Sequence, residues 1–266
     1  MKKNLLLALF CFFSIEVGAQ QITDTTKKNL GDTIKKDLFT APDTIKHLHS
    51  KVLAFVTPVA LITYGALSFT VHPIRRFDYF IHSEVEKKYP TFHSTAESYF
   101  QFAPIAAVYA LNLAGVEGKN RFLDRSTLLV LSGGILSVSA TITKHETHRL
   151  RPNNGDYLSF PSGHTATAFA GAEFLAQEFS EKSVWYGVAG YTVAAATGVF
   201  RIGNRDHWFS DTVAGAGYGI LSTKLSYLVY PYIRDFLTHK GKSGKSAMIM
   251  PTYQSGTPGL YLTMQL

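Results

Sequence analysis

Two short stretches of this 266-residue chain hold the side chains whose types and spacing could do chemistry together. The first runs from Lys144 to His164, KHETHRLRPNNGDYLSFPSGH; the second from Arg201 to Asp211, RIGNRDHWFSD. Between them they supply three permanent cations (Lys144, Arg151, Arg201), two imidazoles (His164, His207), the Asp211 carboxylate and a Ser162-Gly163 turn. Lys144 and Arg151 are seven residues apart, close to two helical turns, so both are expected on one face at the end of a helix that Pro152 stops. Two cations aimed into one loop are costly to bury unless an anion lies between them. An arginine fork can give such an anion two parallel hydrogen bonds. Gly163 lets the backbone pass close to a ligand, and the N–H groups of a helix beginning near Thr165, with the Ser162 hydroxyl, form an anion cradle. His164 is then placed to give a proton to a departing alkoxide. Asp211 follows His207 by four residues, so on a shared helical turn its carboxylate would take the Nδ1 proton and leave Nε2 as a free lone pair. Attack of that lone pair on phosphorus gives a phosphohistidine, which water hydrolyses. Lys144, Arg151 and Arg201 would stabilise the charge on the equatorial oxygens. The scheme needs no metal and no cofactor.

Each piece alone is common, and a His-x-x-x-Asp spacing is more often a solvated pair on a helix. The weight comes from three pieces in order, each at the end of an apolar segment and each supplying a different part of one mechanism. His145, His148, Arg149, Arg205 and Asp206 lie nearby and are assigned no chemistry; they read as surface groups. His145 and His148 at i, i+3 lack a third metal ligand.

The elements that must position these loops are apolar. Hydrophobic residues make up 46% of the chain and charged residues 17%, which favours buried or membrane-embedded helices over a fully solvated fold. The mean hydropathy, +0.05, is modest. The net charge of +7 fits phosphorylated substrates or anionic lipid surfaces; the basic residues are scattered and no nucleic-acid motif occurs, so nucleic acid is set aside. Cys11 is the single cysteine, so neither a disulfide framework nor a thiolate metal site is open. Residues 1–19 read as a cleaved secretory signal, with two lysines, a short apolar run and small residues at Val17-Gly18-Ala19. Residues 20–50 form a polar tether with a brief imperfect repeat, residues 51–232 a helical core, and residues 233–266 a basic linker and tail whose alternating pattern fits a short β-hairpin. Within the core the apolar segments are Val52–Val71, Tyr99–Val116, Leu128–Thr143, Thr165–Phe179, Val184–Phe200 and Thr212–Tyr230, with residues 72–98 polar, basic and aromatic. The expected fold is therefore all-α, a bundle of about six core helices.

The three pieces resemble the signature of the type 2 phosphatidic acid phosphatase family, which shares its core with vanadium haloperoxidases and bacterial class A acid phosphatases. Lys144, Arg151 and Pro152 meet its first part, PSGH at 161–164 its second, and Arg201, His207 and Asp211 its third. The departure is Phe200, where the family usually has serine or a small residue. The resemblance covers roughly residues 95–232. It implies a helical bundle, metal-independent hydrolysis of a phosphomonoester or diphosphate, His207 as nucleophile and His164 as acid.

The apolar segments and the secretory signal make a lipid phosphate the first choice of substrate, with no obligate protein partner implied. The expected location is a bacterial inner membrane with the site facing the periplasm. Counting Val52–Val71, Tyr99–Val116 and Leu128–Thr143 as three spans after a cleaved signal would instead put the site in the cytoplasm, so a periplasmic site needs either an uncleaved signal without a separate first span or one of these segments not to cross. Competing readings are a soluble periplasmic acid phosphatase, a vanadate-dependent haloperoxidase and a catalytically silent membrane scaffold.

Overall fold

A computed structural model describes residues 53–237, 247–254 and 257–264. The expected signal and tether, residues 1–50, lie outside the described residues. Eight helices follow one another within them: α1 (Leu53–Leu67), α2 (His72–Lys88), α3 (Ala96–Phe100), α4 (Ala103–Leu113), α5 (Phe122–Thr147), α6 (Gly163–Phe179), α7 (Val184–Gly203) and α8 (Phe209–Leu237). Two strands, β1 (Ala247–Gln254) and β2 (Thr257–Met264), pair antiparallel, with Ala247 opposite Met264 and Gln254 opposite Thr257. The fold is an all-α bundle with a terminal hairpin.

Helix α6 is the most enclosed element; Ala166, Ala168, Ala172, Phe174 and Phe179 are buried along it. Its neighbours approach closely because α8 carries glycines where any side chain would collide. A Cβ on Gly219 would stand 2.2 Å from the Ala166 carbonyl oxygen, and one on Gly215 would stand 2.6 Å from that of Ser162. Gly217 does the same for α1, where a Cβ would lie 2.6 Å from the Pro58 carbonyl oxygen. Small residues thus let three backbones meet, as in helix pairs held by van der Waals contact. Gly133 and Gly134 on α5 face open space and serve no such contact.

Several boundaries differ from the sequence reading. Residues 72–98 include a 17-residue amphipathic helix, α2, set off from α1 by an 85° bend. The apolar run Tyr99–Val116 is broken into α3 and α4, because Gln101 and Phe102 form a turn before Pro104 enters the first turn of α4. At ~1.5 Å per residue, the 11 residues of α4 reach about 16 Å, half of a bilayer core. The run Leu128–Thr143 is the middle of a longer helix, α5, of 26 residues. Helix α8 runs to Leu237, beyond the boundary expected at 232.

Helix α5 is long and apolar enough to cross a membrane, and the bent pair α1–α2 passes the same test if taken as one span. Leu123, Val130, Val138 and Ile142 of α5 are exposed, as are Val184, Trp185 and Val199 of α7. Away from these faces, two buried carboxylates are well matched. Glu178 accepts from Arg125, Asn120 and the Tyr227 hydroxyl. Glu173 accepts from Lys224, Tyr191 and Gln177.

Candidate active site

Helix α5 ends at Thr147, and His148 caps it in the left-handed conformation with φ of 43°. Lys144 is therefore in the last helical turn, but Arg151 is not on the helix. This corrects the expectation that both cations share a helix face and that Pro152 ends the helix. The chain turns at His148, four residues earlier, and the loop carries Arg151 to the site. Arg151 is held there by Asp156, with Nε to Oδ1 at 2.7 Å, and by the Asp206 carbonyl at 3.3 Å. Lys144 donates to the Leu158 carbonyl at 2.6 Å.

The third piece closes on the first. His207 lies in the loop between α7 and α8, and its Nε2 is 3.5 Å from Nη1 of Arg151. The ring is 3% exposed. Its Nδ1 lies 2.7 Å from the backbone carbonyl oxygen of Ser159 and 3.9 Å from Oδ2 of Asp211. A carbonyl can only accept, so Nδ1 carries the proton and the Nε2 lone pair faces Arg151. The direct partner of Nδ1 is thus Ser159; Asp211 stands one step behind. Asp211 accepts instead from the Ser159 hydroxyl at 2.5 Å, from the Trp208 amide at 3.0 Å and from Arg149 at 2.5 Å. Its own carbonyl accepts from the Ser162 amide at 3.0 Å. Asp211 therefore fixes the two loops to each other, and through Ser159 it fixes the carbonyl that orients the ring.

Burial holds the His207 ring well below the ordinary histidine range, and the charges of Arg201, Arg151 and Lys144 push in the same direction; the Ser159 carbonyl opposes them weakly. All three cations named from the sequence thus act on this one imidazole.

His164 stands in the first turn of α6, with Ser162 at the N-cap position. The Ser162 hydroxyl is fully buried and pairs with Thr165 Oγ1 at 2.9 Å. With its amide already given to Asp211, Ser162 shapes the turn. Beside Gly163, the place a Cβ would take has no neighbour within 4 Å. Room is therefore left for a ligand against the opening amides of α6, where the helix dipole favours an anion. The charges acting on His164 are those of Arg201, Glu97, Asp206 and Arg151, so the second imidazole shares its surroundings with the first.

Arg201 sits in the last turn of α7 and is 8% exposed. It pairs with Asp206 at 2.8 Å and Glu97 at 3.3 Å. Its Nε is buried without a hydrogen-bond partner. Phe200, the departure from the family pattern, stacks on Phe92 at 6.2 Å between ring centroids and meets Phe100 edge-on at 5.8 Å. It forms an aromatic wall beside Arg201.

Arg149, expected as a surface group, is buried. It bonds Asp78 at 2.6 Å, Ser68 at 3.0 Å and Ser210 at 2.9 Å in addition to Asp211. Asp78 in turn accepts from the Ser210 amide and hydroxyl. This tie between α2, the first loop and α8 supports the floor under His207. Asp206, also expected at the surface, closes one side of Arg201 and accepts from Asn153 at 2.9 Å. Ser159 and Asp78 went unnoticed too. Ser159 acts partly through a main-chain carbonyl, which has no residue code. Asp78 is a lone carboxylate in a basic, aromatic stretch. Among the described residues no group of three or more His, Cys, Asp or Glu side chains is placed to hold a metal ion.

Comparison with known proteins gives the same region. Residues 126–235 match the family model of the PAP2 superfamily. A lipid A 1-phosphatase from Porphyromonas gingivalis is 38% identical over 144 residues, 52% of this chain and 32% of that protein. A probable lipid phosphate phosphatase 4 from Arabidopsis thaliana is 36% identical over 91 residues, 30% of each chain. The chain thus spans about a third of the length of these curated relatives. The crystal structure of a transmembrane PAP2 type phosphatidylglycerolphosphate phosphatase from Bacillus subtilis aligns with a TM-score of 0.47 at 20% identity, over 64% of this chain and 94% of that one. The stretch similar to the PAP2 superfamily thus includes all three motif pieces, from Lys144 to Asp211.

Proposed function

We propose that this protein is a membrane phosphatase that hydrolyses a lipid phosphate monoester or diphosphate through a phosphohistidine on His207, without a metal. The observation that carries the reading is the meeting of His207 Nε2 with Arg151 at 3.5 Å, where Lys144 and Arg201 act on the same ring. A neutral imidazole with its lone pair turned towards a cluster of cations is arranged for an incoming anion that it can attack. The phosphoryl oxygens lie against Arg151, Arg201, Lys144 and the opening amides of α6. Nε2 of His207 bonds to phosphorus as the ester bond to the leaving oxygen breaks, and His164 gives that oxygen its proton. Water then attacks phosphorus, gives a proton back to His164, and releases phosphate and the neutral His207 ring.

The lipid class is supported by the exposed aliphatic face of α5 and by the names of the two curated relatives, a lipid A phosphatase and a lipid phosphate phosphatase. The length of α4 supports a periplasm-facing site. With a cleaved signal, a crossing by α1 and no crossing by α4, a crossing by α5 brings Lys144 back to the outer side. The choice between the phosphates of lipid A, isoprenyl diphosphates and glycerophospholipid phosphates is left to experiment. Phosphate release by the purified protein across such a panel, with His207→Ala alongside, tests the reading. Release from at least one lipid and none from the variant is expected; no release from any, or undiminished release by His207→Ala, overturns it. A soluble acid phosphatase would act on water-soluble esters and stay in the supernatant after lysis.

A further inference from the structure

The stretch from Pro90 to Phe100 lies outside the segment matched by the superfamily, and it grips the end of α7 that carries Arg201. Asn204 forms a two-way bond with Ser94, its Oδ1 accepting from the Ser94 amide at 2.9 Å and its Nδ2 donating to the Ser94 carbonyl at 2.8 Å. The same Nδ2 donates to Oε1 of Glu97 at 3.0 Å. Arg205 donates to the Pro90 carbonyl at 3.1 Å, and Phe92 fills the space beside Gly203 and stacks on Phe200.

Glu97 is the acidic member of this clamp. It is 4% exposed, and Arg201 Nη1 donates to its Oε1 at 3.3 Å. Its Oε2 and the Nε of Arg201 are both buried without a hydrogen-bond partner. A buried carboxylate oxygen left unsatisfied is expensive and is seldom kept by packing alone. The negative charges of Glu97 and Asp206 also act on His164, against the positive charges of Arg201 and Arg151.

We propose that Glu97 is a positioning residue of this site: its carboxylate fixes the Arg201 guanidinium that holds the phosphoryl group and keeps a negative charge beside the general acid His164. The inference rests on the phosphatase reading above. Arg201 carries one charge and two acidic partners, Glu97 and Asp206. Glu97 bonds one end of the fork and leaves Nε for a phosphoryl oxygen. Its charge favours the protonated form of His164, the form the leaving oxygen needs.

Glu97→Gln separates this role from a packing role. The glutamine oxygen still accepts from Arg201 and Asn204, so the clamp is retained while the charge is lost. The expected result is a kcat lowered by about ten-fold, a KM unchanged or lower because Arg201 is less neutralised, and an alkaline limb of the kcat/KM profile moved down by about half to one pH unit. Glu97→Asp, which keeps the charge, should restore the position of that limb. Thermal unfolding of each variant reports the packing contribution separately. A Glu97→Gln enzyme with the wild-type pH profile and kcat overturns the proposal. So does a loss of activity matched by loss of fold with no movement of the limb. Wild-type and His207→Ala proteins in the same assay keep the two readings apart: an active wild type with a silent His207→Ala and an indifferent Glu97→Gln sinks only the role of Glu97.

Discussion

At the scale of the residue, the site is a problem of keeping one imidazole neutral among cations. Burial and three positive charges depress the His207 pKa, so the ring keeps its lone pair at neutral pH and loses it only when the pH falls well below the usual histidine range. The acid limb of kcat/KM is therefore expected below that of a free imidazole, and a pH–rate profile of the free enzyme checks it. The sign follows from the folded-state shift: a group held down in pKa is protonated late, so activity persists into mild acid. Replacing Lys144 by Met removes one of the charges that depress the ring, so the acid limb should move up towards the ordinary value. Arg149 governs the fold of the site. Its guanidinium is shared by Asp78 and Asp211, both fully buried. Arg149→Met removes the guanidinium that two buried carboxylates share and should cost about 3–5 kcal/mol of stability, measured by denaturant unfolding. Arg149→Lys keeps the charge but not the fork, and should recover only part of that loss.

At the scale of the element, the helices are placed by what they lack. Gly219→Ala puts a methyl group where 2.2 Å separates it from the Ala166 carbonyl, so α8 must move away from α6 at a cost of about 1–3 kcal/mol. Gly133→Ala meets open space and should be neutral or stabilise α5 by about 0.5–1 kcal/mol. The difference in unfolding midpoint between the two variants checks the packing. The six apolar segments were legible as runs with little or no charge, and five of them correspond to α1, α5, α6, α7 and α8. The break in the Tyr99–Val116 run was not legible as such, because Gln101 and Pro104 are compatible with a continuing helix start as well as with a turn. The three motif pieces were legible because they occur in order, each at the end of an apolar segment and each with residue types suited to an anion. Arg149 was not, because one arginine beside another in a loop carries no periodic signal, and its partners Asp78 and Asp211 are 71 and 62 residues away. The orienting role given to Asp211 was close but indirect: i, i+4 spacing brings it near His207, while the loop carbonyl of Ser159 reaches Nδ1 first.

At the scale of the whole molecule, α5 exposes aliphatic side chains along its length, and α1 and α2 meet at an 85° elbow. Helix α2 carries Phe77, Tyr79 and Phe80 exposed together with Arg75, Arg76, Lys87 and Lys88, the composition of a helix lying at a membrane surface. The protein should therefore stay with membranes through an alkaline carbonate wash and enter solution with detergent; release by carbonate would contradict the membrane placement. In the proposed orientation a cysteine placed at Asn154 should react with an impermeant thiol reagent from the periplasmic side, and protection would reverse that orientation. The central claim, that His207 takes the phosphoryl group before water does, is tested most directly by the stereochemistry of hydrolysis. A substrate made chiral at phosphorus with sulfur and oxygen isotopes passes through two in-line displacements in this scheme. Net retention of configuration in the released thiophosphate is the predicted result, and net inversion, the mark of direct attack by water, would contradict it.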